Sequence, residues 1–549
     1  MYLLLPHSPI ELKEHPKSMA SVSHKAQLFE FCARAVYAIQ AECDSILSGL
    51  DRANESSLAG CGSALIDLLS RQARQITTCY QELRLPNTSE GELLSEKRQL
   101  VLKRLDDIIS ISYSKFYAFL FRDLPTCWRQ LYTDASILKF CFNLLWSPYV
   151  YDYAAEDGRT DQKRFDGANC DISELVRTLD LALILAGAAG EQRGRRWVNK
   201  ALELLHMNWR EMTTHIGTPI TERPAKRKKL AESPSLNDGL EIEDTFSTNE
   251  PFTPPVKHPI KLVDALSMEE FQAYLDNSHN LKLGPAPLII RGAINTWPAL
   301  TTNPWNKPSY LLSQTFDGHR LVPIEIGRSY VDEGWGQKIV TFGEFLSNYI
   351  DTSLAGAQGN SDVDTSSSSL EEGSIAYLAQ HPLFTQLPAL RNDILIPDYC
   401  YTAPPPHPTD PSMDQPELDE PLLNAWFGPP GTITPLHTDP YHNILTQVVG
   451  RKYLRLYSPL VTERMRARGK ENGVEMGNTS LMDVGVIEGW DAIPDDEESK
   501  PTEEDLASFR EVPFLDCILE PGDALYIPIG WWHYVRGLSV SFSVSFWWN

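Results

Sequence analysis

The stretch GPPGTITPLHTDPYHN, residues 428–443, puts His437 and Asp439 two positions apart at the edge of a stiff turn. Residues i and i+2 of an extended strand point to the same side, so an imidazole and a carboxylate would form two adjacent corners of a metal polyhedron. Taken alone, such a pair is more often a histidine hydrogen-bonded to a turn aspartate. A third ligand decides between the two. Of the thirteen histidines, only His442, in the same turn region, and His533, in PGDALYIPIGWWHYV, lie further downstream. Pro528 and Gly530 end the strand before His533 and place it at the mouth of a sheet, where strand ends distant in the chain can meet. Two histidines and one carboxylate hold non-haem Fe(II) and leave coordination positions open for a cosubstrate and oxygen. Zinc is the rival ion, but a catalytic zinc site would be expected to carry a general-base glutamate beside a ligand, as in HExxH, and the sequence has none.

The neighbouring strands add to this chemistry. In NILTQVVGRKYLRLYSP, Gly450 sits at a hairpin turn and Lys452 shares a strand face with Leu454 and Leu456. An ammonium on an apolar face needs an anionic partner, and a carboxylate-bearing cosubstrate would supply one. Near the C-terminus Ser539, Ser541, Ser543 and Ser545 alternate with Val540, Phe542, Val544 and Phe546. The small face is expected to leave room for a polar organic acid, framed by Trp531, Trp532, Trp547 and Trp548.

These groups need a scaffold. A chain of 549 residues divides into two or three domains. Residues 20–212 carry apolar spacings of three and four, as in LIDLLSRQARQITTCYQEL, and predict a helical domain without a repeat period. Residues 213–258, rich in proline, serine and acidic groups, read as a flexible linker. Within it, Lys226, Arg227, Lys228 and Lys229 form a basic cluster suited to a nuclear-import receptor. From 259 to 549, short β-branched and aromatic runs separated by turn residues predict an all-β barrel or sandwich. The segments 355–373 and 491–505 read as solvated loops.

A net charge of −24 excludes a broad basic surface for nucleic acid. Basic peptides and histone-like tails are physically easier partners. Nine cysteines without a CxxC pair indicate neither a zinc finger nor a disulfide scaffold. No stretch reads as a membrane span or a leader, so an intracellular, soluble protein is expected.

NAWFGPPGTITPLHTDPYHNILTQVVGRKYLRLYSP, with IPDYC upstream and PGDALYIPIGWWHYVRGLSVSFSVSFWW downstream, closely resembles the JmjC-domain Fe(II)- and 2-oxoglutarate-dependent dioxygenases. Within them it is similar to the branch described both as lysine-specific demethylases and as protein arginyl hydroxylases. The resemblance covers about residues 259–549 and implies a double-stranded β-helix, a jelly-roll of the cupin type, behind the helical domain. It implies that His437, Asp439 and His533 bind iron, and that Tyr377, Thr434, Asn443 and Lys452 hold 2-oxoglutarate. In that scheme the lysine takes the distal carboxylate, and Trp426 and Trp547 wall the pocket. O2 is the second cosubstrate.

The metal site cannot by itself choose the reaction. Hydroxylation of a protein arginine, coupled to conversion of 2-oxoglutarate to succinate and CO2, is the first expectation. Glu325, Asp332, Glu333 and Asp483 are candidates to receive the cationic side chain. Histone methyllysine demethylation is the alternative, with Tyr330, Trp335 and Tyr399 as candidates for an aromatic cage. A non-enzymatic, chromatin-associated binding protein is the third. Substrates would be proteins or peptides, from histone tails to ribosomal or chromatin proteins. The helical domain is expected to bind a partner, and the nucleus is the expected compartment, with the cytoplasm second.

Overall fold

The computed structural model describes residues 23–49, 58–82, 91–119, 123–145, 147, 171–216, 245–277, 283–331, 334–351, 375–471, 474–492 and 502–549. The basic cluster at 226–229, Asp332, Glu333, the whole 355–373 insertion and residues 493–501 of the acidic loop lie outside them.

The chain divides into two compact units. The first contains helices α1 (His24–Leu47), α2 (Ser63–Glu82), α3 (Gly91–Phe116) and α4 (Thr126–Leu145). Leu28, Cys32, Val36, Ile39 and Cys43 recur along α1 at helical spacing and are buried. Helix α5 (Ile172–Ala186) does not belong with them: residues 172–185 group with the β-rich unit. Helix α6 (Arg195–Ile216) returns to the first unit. No helix among the described residues is long and apolar enough to cross a membrane.

In the second unit, β1 (Lys261–Asp264) precedes α7 (Met268–Asp276), which Ser267 and Glu270 start with a reciprocal capping box. Then come β2 (Leu288–Arg291), β3 (Leu321–Ile326), β4 (Gly336–Thr341), β5 (Ala376–His381), β6 (Leu422–Gly428), β7 (Ile433–His437), β8 (His442–Val449) and β9 (Lys452–Tyr457). A two-stranded ribbon, β10 (Lys470–Glu471) and β11 (Val474–Glu475), precedes β12 (Phe514–Leu519), β13 (Ala524–Ile527), β14 (Trp532–Gly537) and β15 (Ser541–Trp548). Nine strands form one sheet in the order β1-β2-β13-β8-β15-β6-β5-β3-β4, and four form another in the order β12-β9-β14-β7. No ladder among the described residues joins the two, so of the expected barrel or sandwich the structure shows two sheets and no closed hydrogen-bonded cylinder.

Strand alternation distributes the core over three layers. Leu445, Leu525 and Ile527 of the large sheet meet Leu454, Leu456, Leu519 and Val535 of the small one, so this cluster marks the space between the sheets. Phe427, Phe542, Val544 and Phe546 face the other way, where they pack with Phe271, Trp305 and Phe345 outside the large sheet. Tyr453, Tyr457, Trp532 and Tyr534 pack with Met482, Ile487 and Phe509 outside the small sheet.

The end of the segment read as linker departs from that reading. Phe246 is buried with its ring 5.7 Å from that of Phe427, and Glu250 pairs with Arg451. The backbone amides of Lys257 and His258 donate to the buried Asp516 carboxylate. Residues 245–258 are therefore a packed strap, because an aromatic ring and a buried acceptor fix a stretch whose composition alone suggests a coil.

Candidate metal centre and cosubstrate pocket

His437 ends β7, Asp439 lies in the turn that follows, and His533 sits on β14, directly opposite His437 in the ladder. This register brings together residues nearly a hundred positions apart. The imidazole rings are 4.1 Å apart. His437 Nε2 lies 3.6 Å from Asp439 Oδ1, and His533 Nε2 lies 3.4 Å from Asp439 Oδ2. Among the described residues these three form the one cluster with metal-binding geometry, their ligand atoms all within 4.8 Å of one another.

The other ring nitrogens set the tautomers. His437 Nδ1 is 2.8 Å from the Pro435 carbonyl and His533 Nδ1 is 3.1 Å from the Trp531 carbonyl. A carbonyl can only accept, so each Nδ1 donates and each Nε2 faces the cluster, where a bound metal would take its lone pair. Asn443 Nδ2 donates to Asp439 Oδ2 at 2.8 Å and fixes the carboxylate from the β8 side. Burial opposes ionisation of Asp439, yet His533 and His437 override it and hold the carboxyl well below its ordinary range. Burial likewise opposes a charge on His533, and Asp439 reverses the effect and raises it. Two imidazole nitrogens and one ionised carboxylate oxygen on one side of a cavity suit Fe(II) and leave its other side open.

His442 is not part of this set. Its Nε2–H donates to the Pro405 carbonyl, and its Nδ1 lies 2.9 Å from the Tyr526 hydroxyl. Burial lowers its pKa to about 4, so it is a neutral structural residue.

The cavity beside the cluster is lined by Tyr377, Trp426, Thr434, Asn443 and Lys452 together with the three cluster residues. Each comes from the inward set of its strand: Lys452 from the face of β9 shared with Leu454 and Leu456, Tyr377 from β5, Asn443 from β8. Lys452 is 2% exposed, and its Nζ donates to the Tyr377 hydroxyl at 3.2 Å. The Tyr377 hydroxyl is bonded in turn with Thr434, and burial raises its pKa far above the ordinary phenol. Burial lowers the pKa of Lys452 to about 7. A buried ammonium whose hydrogen-bond partner is a neutral phenol is a cradle for an anion, so these residues fit a dicarboxylate cosubstrate.

Other expectations are met differently. Trp547 is not among the residues lining the cavity; its ring lies 6.1 Å from that of Tyr441. The inward serines do not line it either: Ser543 donates to Gln447, and Ser545 accepts from Trp426 Nε1. Ser543 and Ser545 are small because Gln447 and Trp426 fill the interior beside them. Asp483 caps the short helix Val484–Ile487 and faces Arg328, so it is not free to receive a substrate. Tyr399 bonds to Leu266 and packs on Phe271 in the outer core. Sequence reasoning missed the apolar wall of Leu445, Ile527 and Val535. Strand periodicity could have found two of them, since Leu445 stands two after Asn443 and Val535 two after His533.

Residues 276–549 match the model of the Cupin-like domain family. The chain is 32% identical over 448 residues to Lysine-specific demethylase 8 of Danio rerio, covering 81% of this chain and 87% of that protein. It is 38% identical over 263 residues to Lysine-specific demethylase 8 of Xenopus tropicalis, covering 48% of each chain. To Lysine-specific demethylase JMJ30 of Arabidopsis thaliana it is 41% identical over 263 residues, 48% of this chain and 50% of that one. The Xenopus and Arabidopsis matches thus span about half of each relative. An extended match to the Danio protein, a cupin-like domain and an intact two-histidine, one-carboxylate cluster together make this chain a member of the JmjC-domain Fe(II)- and 2-oxoglutarate-dependent dioxygenases.

Proposed function

We propose that the enzyme oxidises a carbon of a cationic protein side chain, with Lys452, Tyr377 and Thr434 holding the distal carboxylate of 2-oxoglutarate. The buried Lys452 ammonium carries this reading, because its hydrogen-bond partner is the uncharged Tyr377 hydroxyl and not a carboxylate. Bound iron with 2-oxoglutarate and O2 supplies the oxidation of a substrate C–H bond, while 2-oxoglutarate leaves as succinate and CO2. The protein binds, orients and excludes. The two Nδ1–H bonds to backbone carbonyls fix the imidazoles, Asn443 orients the Asp439 carboxylate, and Leu445, Ile527 and Val535 keep bulk water from the cavity. Trp547 is proposed as an outer support of the wall rather than a contact residue.

N-demethylation of methyllysine is the reading supported by the names of the three relatives. One added oxygen on the methyl carbon gives a hydroxymethylamine, which collapses to formaldehyde and the free amine. A second reading, arginyl hydroxylation, rests on Glu325. This carboxylate stands opposite Tyr377 in the β3–β5 ladder, accepts from Trp335 Nε1, and adds its charge to the burial that raises the Tyr330 pKa. A guanidinium could replace the indole N–H there. With Tyr399 in the outer core, the expected cage also lacks its third ring.

The test is mass spectrometry of methylated and unmethylated histone- and ribosome-derived peptides incubated with the enzyme, Fe(II), ascorbate and 2-oxoglutarate. Loss of CH2 identifies demethylation, and gain of one oxygen on an unmethylated arginine identifies hydroxylation. Succinate production with neither change in any cationic peptide would overturn both. Nuclear import through the basic cluster at 226–229 and partner binding by the helical unit belong to the same proposal.

A further inference from the structure

Helix α5 brings into the β-rich unit a carboxylate that a catalytic domain delimited from residue 259 would leave out. Asp180 is fully buried and accepts from Arg320 Nε at 2.9 Å, from Arg320 Nη2 at 2.7 Å and from the backbone amide of Leu321 at 2.8 Å. Leu321 is the first residue of β3. The contacts continue beyond the pair. Arg320 Nη2 also donates to the Gln386 carbonyl, Gln386 Nε2 donates to the Leu321 carbonyl, and Gln386 Oε1 lies 2.8 Å from His381 Nε2. His381 is the last residue of β5. The chain Asp180, Arg320, Leu321, Gln386, His381 therefore clamps the start of β3 to the end of β5.

Those two strands carry the groups that face each other across the pocket wall. Glu325, four residues after Leu321, and Tyr377, four residues before His381, are partners in the β3–β5 ladder. That ladder is short: only Glu325 with Tyr377 and Ile326 with Ala376 are in register, and beyond Leu378 the pairing of β5 with β6 is irregular. Two rungs fix strand spacing poorly, and the buried ion pair supplies the second anchor. We infer that Asp180 is a positioning residue for the active site. It acts from helix α5 through Arg320 and Gln386 to set where Tyr377 and Glu325 stand relative to Lys452.

The inference rests on the reading that Tyr377 and Lys452 hold the cosubstrate. Asp180→Asn in the full chain keeps the shape but leaves Arg320 without its charged partner. Titration of 2-oxoglutarate into the anaerobic Fe(II) protein, followed by charge-transfer absorbance, should show a roughly tenfold higher Kd, a fraction of the about hundredfold loss that a full 1 Å misplacement can cause. Iron content should stay at the wild-type level, because the metal cluster lies on β7, its turn and β14. Asp180→Glu should recover part of the loss. A wild-type Kd in folded Asp180→Asn, with only the melting temperature lowered, would reduce the residue to structural support.

Should that variant fail to fold, hydrogen exchange of the wild-type protein carries the test. Coupling is reciprocal, so 2-oxoglutarate bound at Tyr377 must slow exchange in residues 176–185 as well as in β3 and β5. Protection confined to the pocket strands would overturn the inference. Absence of any absorbance band in wild type would instead refute the cosubstrate reading itself.

Discussion

Replacing Lys452 by methionine tests the chemistry most directly. The side chain is 2% exposed, its ammonium meets the Tyr377 hydroxyl, and burial takes its pKa from the ordinary 10.5 to about 7. At about 1.36 kcal/mol per pKa unit, that fall corresponds to about 5 kcal/mol of unfavourable desolvation in the ligand-free protein. The sign follows from proton counts. Between pH 7 and 10.5 the unfolded chain keeps this proton and the folded, ligand-free protein releases it. Stability therefore rises with pH across that window, and the full penalty is present below it. A bound carboxylate reverses the balance by demanding the ammonium. Above pH 7 the cosubstrate must bind with uptake of a proton, and its apparent Kd should weaken with a slope approaching about tenfold per pH unit.

Lys452→Met keeps much of the stem's volume and leaves that carboxylate unpaired. Breaking one side of a buried ion pair costs about 3–5 kcal/mol, and at about 1.4 kcal/mol per tenfold the affinity should fall by two to three orders of magnitude or more. The pH slope should vanish with it. Lys452→Arg should recover little, because a planar fork needs more width than a point charge on a flexible stem. Titration of 2-oxoglutarate into the anaerobic Fe(II) protein at several pH values measures both effects. An unchanged Kd with an unchanged slope in Lys452→Met would refute the carboxylate-anchor reasoning.

His437→Ala, Asp439→Ala and His533→Ala should each abolish 2-oxoglutarate turnover with the fold retained; stoichiometric iron in the triple variant after desalting, by elemental analysis, would sink the metal assignment. Ser543→Ala leaves the Gln447 side-chain oxygen without its hydroxyl donor, which should cost about 1–3 kcal/mol in denaturant unfolding. It should do so without moving the 2-oxoglutarate Kd, and a shifted Kd would return the serine row to the pocket wall. Residues 213–258 fused to a reporter too large to diffuse into nuclei should concentrate it there, and changing Lys226–Lys229 to alanine should disperse it; equal distribution of both fusions would remove the basic cluster as an import signal.

Much of the centre was legible in one dimension, because its grammar is local. The two-residue spacing of His437 and Asp439 sets both on one side of the chain, and alternation along β9 puts Lys452 with Leu454 and Leu456 whatever lies opposite. Spacing alone left His442 open beside His533, which its place at the sheet mouth and the family resemblance favoured, and register across β7 and β14 then separates the ligand from a ring bonded to Tyr526 and Pro405.

What composition and periodicity left undecided was partner choice between distant segments. The serines of β15 alternate as expected, but Gln447 and Trp426, reached from β8 and β6, determine that they fill the interior instead of lining a cavity. Residues 245–258 have the composition of a coil and become a strap because Asp516 and Phe427 receive them. Tyr399 has a cage residue's chemistry and an outer-core position. Asp180 looks like one more polar residue in an amphipathic helix, yet Arg320, 140 residues away, makes it part of the β-rich unit. The sequence by itself determined which groups could do the chemistry and which strand faces they share. The tertiary structure alone decided which polar groups find each other, because a hydrogen-bond partner is chosen by packing across the chain and not by spacing along it.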